Sequence, residues 1–291
     1  MLLPGAAMKR MHRCLVRRKL TLHRLEYTMK ARLPKIDFSN ADAHWMPAAP
    51  AMAHQLNGAS LVLPYLEPYL IKVLKVARPR IAEVAPDLLE NLDIFNRQEA
   101  NHFKVHAAYN RVMRQQYPGL DAFEAEIRAD FQRFGSEMPL AWNLAYSEGF
   151  ESAGVIQSEF FLHEIDDLLE TADPAVTELW RWHLAEEFEH RNVVHDVLKA
   201  LYPGWLARLK GFRFCGQHLF GFTSRVREHM LAVDRERSRL QENSASLRAA
   251  RTIALRERRF QLPRLAKILT PWYSPHKRSM GTATQKVLAR Y

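Results

Sequence analysis

The sequence predicts an all-α protein, a four-helix bundle with additional C-terminal helices, and three observations carry that prediction. Nowhere do the 291 residues alternate apolar and polar side chains as a half-buried strand must. The helical stretches end at clear stops, "YPG" at 117–119 and "LYPG" at 201–204, where proline and glycine break the pattern. The longest stretches approach about 30 residues, or about 45 Å at the helical rise, a length suited to a bundle.

Residues 1–34 read as a basic leader, loosely structured, and 35–204 as the bundle. Its first helix spans roughly 53–78 and is expected to be interrupted by Pro64 and Pro68, which lack a backbone donor. A second runs from about 86 to 116, with Asp87 in an acidic first turn. A short helix is expected at 121–133, and then a long one at about 138–170 with Ser136 as its N-cap. "ADP" supplies Asp173 as an N-cap and Pro174 at the first helical position of a helix that continues to "LYPG". Residues 205–291 form a basic extension packed on the bundle, with a charged helix around 224–260.

The net charge of +10 hides a partition. Residues 1–35 hold ten Lys/Arg against one acid, and 205–291 hold nineteen against five, while 36–204 hold thirteen against 26. A uniformly basic chain would suggest nucleic acid, which this pattern does not specifically predict. An acidic centre suits cation binding, and the basic ends suit contact with an anionic surface. "RLKGFRFCGQHLFGF" interleaves bases with aromatics, a pattern more common where aromatics pack inward. No apolar run is long enough to span a bilayer, no signal-peptide core is visible, and the only cysteines are Cys14 and Cys215. These features fit a reducing cytoplasm.

The stretch "WRWHLAEEFEHRNVVHDV" at 180–197 combines a core-like apolar pattern with His183, Glu187 and His190 on one face. Glu99, His102 and His106 share a face of an earlier helix in the same way. Each set contains Glu-x-x-His, which stacks a carboxylate and an imidazole one turn apart. Chance alone gives about one such pair here, so context decides: an ionised Glu facing a core is costly unless something compensates it. Glu67 and Glu148 occupy similar mid-helix apolar surroundings on two further helices. One Glu from each of two helices, plus Glu-x-x-His from each of two others, is the inward-facing arrangement of dinuclear carboxylate bundles. The candidate ligands are therefore Glu67, Glu99, His102, Glu148, Glu187 and His190, with Glu99 and Glu187 as bridges. His183 is either a further ligand or a core histidine, and the second reading is favoured for His106. Glu151, one turn past Glu148, is its rival; Glu186 and Glu189 point to neighbouring helices or solvent; Asp196 offers an acceptor for an imidazole N–H. An oxygen-rich shell favours two Fe ions, with Mn, mixed Mn/Fe or Zn as alternatives. "HEIDD" at 163–167 lacks the second His of a zinc protease helix, and no phosphate loop or nucleophile elbow is present.

The blocks "HWMPAAPAMAHQLNGASLVLPYLE", "FNRQEANHFKVH", "WRWHLAEEFEHRNVVHDV" and "PWYSPH" resemble a bacterial family of predicted metal-dependent hydrolases within the ferritin-like superfamily. The resemblance spans roughly 35–291 and implies a ferritin-like bundle with the same six ligands, Glu148 being preferred to Glu151. The chain departs from the family pattern at Gly149, where a His is expected, at His195, where an aromatic is expected, and at Pro68. Those departures bear on the substrate side of the site. The step from His183 to His190 is also locally similar to the histidine-enriched site of di-iron arylamine N-oxygenases. The leading functional expectation is a di-iron enzyme that activates O2 to oxidise a small molecule, with an electron donor as partner. A two-metal hydrolase and a non-catalytic metal-storage or structural bundle are the alternatives. No oligomeric state is predicted.

Overall fold

The computed structural model describes residues 29–240 and 243–291, and all regular structure within them is helical. The predicted leader lies outside the described residues up to position 28. Four helices build the centre: α1 (Pro50–Val84), α2 (Leu89–Gln116, after a 3-10 turn at Pro86–Leu88), α4 (Leu140–His163) and α6 (Pro174–His190). Between them lie α3 (Leu120–Glu137) and the short α5 (Asp166–Leu169). Beyond α6 come α7 (Val193–Leu201), α8 (Trp205–Glu236), α9 (Ser244–Ile268) and α10 (Thr282–Leu288).

Several predicted boundaries are corrected: the helix expected at about 138–170 ends at His163, and the charged helix expected around 224–260 is divided between α8 and α9. α1 is continuous through Pro64, Pro68 and Pro79. At Pro64 the missing N–H would leave the Ser60 carbonyl unpaired, and the Asn110 side chain donates to that carbonyl at 2.8 Å. Ser136 is not an N-cap: it lies inside α3 with its hydroxyl bonded back to the Gln132 carbonyl, and Pro139 opens α4. The helix from Pro174 does not run through to the "LYPG" stop, because a turn at 191–192 separates α6 from α7. There the Arg191 guanidinium donates to the Phe188 carbonyl at 2.7 Å, taking an acceptor that a continuing helix would have used. The Asp173 cap is present, accepting from the backbone N–H groups of Ala175 and Val176 at 2.9 and 3.1 Å.

Large apolar side chains fill the bundle, among them Leu66, Phe95, Tyr109, Phe160, Phe161 and Trp182. Fully burying a side chain of this kind stabilises by about 1.5–3 kcal/mol, and this packing offsets the cost of the polar groups described below. α8 packs unusually close: a Cβ on Gly149 would sit 2.8 Å from the Phe212 backbone, and one on Gly58 would sit 2.9 Å from the Thr223 carbonyl oxygen. At Gly149 the side chain expected from the family pattern would therefore collide with α8.

Candidate metal centre

The bundle gathers Glu67 from α1, Glu99 and His102 from α2, Glu151 from α4, and His183, Glu187 and His190 from α6, all buried. Two triads form. Ligand atoms of Glu67, His102 and His183 lie within 4.8 Å of one another, and so do those of Glu99, Glu187 and His190. Glu187 joins the triads: its Oε1 lies 3.8 Å from His102 Nδ1, 3.5 Å from His183 Nε2 and 3.5 Å from His190 Nε2. Gly154 leaves room for this carboxylate, since a Cβ there would stand 3.0 Å from Glu187 Oε2.

Among the described residues, neither oxygen of Glu67, Glu99, Glu151 or Glu187 has a hydrogen-bond partner, and neither do His102 Nδ1 and His190 Nε2. So many converging buried acceptors are unfavourable unless a cation lies among them. The donor set thus fits bound metal.

Protons balance the cluster when no cation does. Burial, reinforced by Glu99 and Glu187, pushes the Glu67 carboxyl well up. Glu99 is also raised by burial, against the pull of His102. Burial and the Glu187 charge lift Glu151 to about 8. Glu187 behaves oppositely: burial opposes its charge, but His190, His183 and His102 together hold it down at about 2. His102 rises to about 9 against burial because Glu186 accepts from its Nε2 and the Glu99 carboxylate stands 3.8 Å from its Nδ1. His190 rises well above the usual range against the same opposition, through Glu187 and Glu151. Burial and neighbouring imidazoles push His183 and His106 down. Binding of cations must therefore expel protons.

Glu148 belongs to neither triad. Its Oε1 lies 3.0 Å from His195 Nδ1 and accepts from Ser152 Oγ at 3.0 Å, while Arg208 lies 3.9 Å away; its Oε2 is buried without a partner. Glu151 instead stands 3.2 Å from His190 Nε2. The two carboxylates are three residues apart, so their directions differ by about 60° around the helix. Asp196 is also placed elsewhere, paired with the exposed His276 at 2.9 Å. His106 sits behind the cluster, its Nδ1 2.8 Å from Ser60 Oγ and its Nε2 3.2 Å from His183 Nδ1.

The outer support of the imidazoles comes from residues that the sequence did not single out for it. His102 Nε2 lies 2.9 Å from Glu186 Oε2, and His190 Nδ1 lies 3.1 Å from Gln98 Oε1. Gln98 in turn donates to Glu189 at 2.6 Å. Arg32 grips both acids, donating to Glu186 at 3.0 Å and to Glu189 at 2.8 and 3.1 Å. Glu186 and Glu189 do point to neighbouring elements, but as buried supports for two imidazoles. Such partners fix ring orientation and tautomer. Gln98 was visible as the neighbour of Glu99; Arg32 carried no local signal.

A cavity of about 240 Å³ reaches this cluster at His183 and Glu187. Its wall is mostly apolar, from Leu56, Val62, Phe150, Ile156 and Trp180 among others.

A family model described as predicted metal-dependent hydrolase matches residues 30–279. The chain belongs to that family. Neither the curated proteins nor the solved structures compared with this metal-dependent hydrolase family member give a match.

A separate polar cluster lies at the end of α8. His44 Nδ1 and His54 Nε2 approach Asp234 Oδ2 at 2.6 and 2.7 Å, and the Tyr117 hydroxyl donates to Oδ1 at 2.7 Å. Asn57 donates to His54 Nδ1 at 3.2 Å, which fixes His54 as the neutral Nε2–H tautomer. These contacts close a hydrogen-bond network without an ion. Burial would raise the Asp234 carboxyl, but His44, His54 and Tyr117 hold it far below the usual carboxylate range. A depressed carboxyl contributes stability above its unfolded pKa of about 4 and loses it as the pH falls further. Asp234→Asn is expected to cost about 3 kcal/mol at neutral pH, read from denaturant midpoints. The deficit should narrow below about pH 4; unchanged neutral-pH midpoints would disprove the role.

Proposed function

We propose that this family member is a dinuclear, di-iron enzyme that uses O2 to oxidise or oxygenate an apolar small molecule. Glu67, His102 and His183 would hold one ion, and Glu151 and His190 the other, with Glu99 and Glu187 between them. Bound iron would supply the electrons for O2 reduction, and an external electron donor would restore them. Arg32, Glu186, Gln98 and Glu189 hold the imidazoles in place, and the apolar wall excludes water from the reacting face. The observation that carries this reading is the cavity itself. It ends on His183 and Glu187 and contains no cationic side chain to clamp a polar scissile group.

The family description favours a second reading, in which two metals activate a water for hydrolysis. Anaerobic loading with Fe(II), then exposure to O2, distinguishes them. The expected result is O2 uptake and a Mössbauer spectrum of a coupled diferric pair. Tight zinc retention, together with an iron form that takes up no O2, would reject the oxidase reading.

A further inference from the structure

Helix α9 has two unlike sides. Its inner side is thinly attached: Ile268 is its only fully buried residue, and Gln261 and Leu265, at the margin between the two sides, contribute to the cavity wall. On its outer side Leu247, Leu255, Leu262 and Leu269 recur at spacings of eight, seven and seven. That spacing keeps them within roughly 80° of one another around the helix. They are 56, 50, 49 and 42% exposed, which is unusual for leucines in a regular row. Arg248, Arg251, Arg258 and Arg259 lie on the same side, and none has an acidic partner among the described residues. By contrast Arg256, further round the helix, is paired with Asp167 at 2.7 Å.

The C-terminal end of the row is extended by aromatics. Trp205 donates to the Leu269 carbonyl at 3.0 Å, and Arg208 donates to the Ile268 and Thr270 carbonyls at 2.7 Å, fixing the end of α9. Trp272 stands 72% exposed close by in sequence, and Phe220, next to the cavity-lining Leu219, is 66% exposed. No helix among the described residues is long and apolar enough to cross a membrane. A row of leucines mixed with unpaired arginines and ending in tryptophans is the chemistry of a helix lying in a lipid headgroup layer.

We propose that the outer side of α9, with Trp205 and Trp272, docks on an anionic lipid bilayer. The leucines would sit at the boundary between headgroups and acyl chains, and the arginines would pair with lipid phosphates. Charge complementarity selects this occupant: 205–291 carries nineteen bases against five acids. Docking in this way places the apolar cavity, bounded by Gln261 and Leu265 at the margin of the same leucine row, next to lipid. The substrate class that follows is a lipophilic molecule partitioned into the membrane, and this last step rests on the cavity being the substrate site.

Co-sedimentation of the full chain with phosphatidylcholine vesicles, with or without phosphatidylglycerol, tests the docking directly. Binding is expected only to the anionic vesicles and should weaken as salt rises. Leu255→Ser/Leu262→Ser should lower vesicle affinity by about tenfold while metal content and helicity stay unchanged. Should that variant misfold, Arg251→Ser/Arg258→Ser gives a second reading: weaker binding and a shallower salt dependence. Absence of binding to anionic vesicles overturns the proposal. So does equal binding by the leucine variant, or equal affinity for duplex DNA that ignores the leucines. The assay is run on metal-free and metal-loaded protein alike, so a failure of docking is separable from a failure of O2 chemistry.

Discussion

Replacing Glu187 by alanine is expected to abolish retention of both metal ions, whereas His183→Ala should leave at least one. Among the described residues, Glu187 is the single carboxylate that stands within 3.8 Å of His102, His183 and His190. Within the cluster it is also the carboxyl most firmly held in its charged form, down at about 2. Removing it takes away the anion that three imidazoles share, and the remaining acids are raised carboxyls that hold their protons more tightly. His183 belongs to one triad only. Metal content by elemental analysis of protein purified from its own host reads the difference. Circular dichroism separates lost ligation from lost folding, and the apolar core makes folding of the alanine variant the expected state. Two ions retained in Glu187→Ala would show that it is not a bridge.

The second large effect contrasts two acids on α4. Glu151→Ala is expected to lose the ion held beside His190, because Glu151 is the α4 carboxylate that reaches that imidazole, at 3.2 Å. Glu148→Ala is expected to keep both ions and instead to lose about 2–3 kcal/mol of folding stability. Its carboxylate is the buried acceptor for Ser152 and the partner of His195, which would be left unpaired. Metal content and thermal unfolding measured on the same two variants should therefore give opposite patterns. Identical metal loss in both would return Glu148 to the ligand set.

That contrast shows where the sequence was legible. Glu-x-x-His binds a carboxylate and an imidazole into one local unit, so Glu99 with His102 and Glu187 with His190 were visible without tertiary information. α4 offered no such unit. It is apolar nearly all round, so its sequence does not mark which side faces the centre, and two glutamates one turn apart were equally good candidates. The family pattern preferred Glu148, and in this chain His195 occupies that carboxylate. Prolines misled for a related reason: Pro64 reads as an interruption of α1, and the compensating donor, Asn110, lies on another helix. Arg32 was beyond reach altogether, since what it touches depends on an extended segment crossing α2 and α6 rather than on any spacing.

Arg32 also gives the assembly of the site an order. Residues 30–32 bond to Glu186, Glu189 and Gln98, and those three side chains steady the imidazoles of both triads. Residues 30–32 are thus the keystone of a centre whose ligands all come later in the sequence. By thermodynamic linkage, whatever strengthens the seating of this segment tightens metal retention, and bound metal clamps the segment in return. A polypeptide leaving the ribosome has its keystone ready first and must wait for α6 before it can be set.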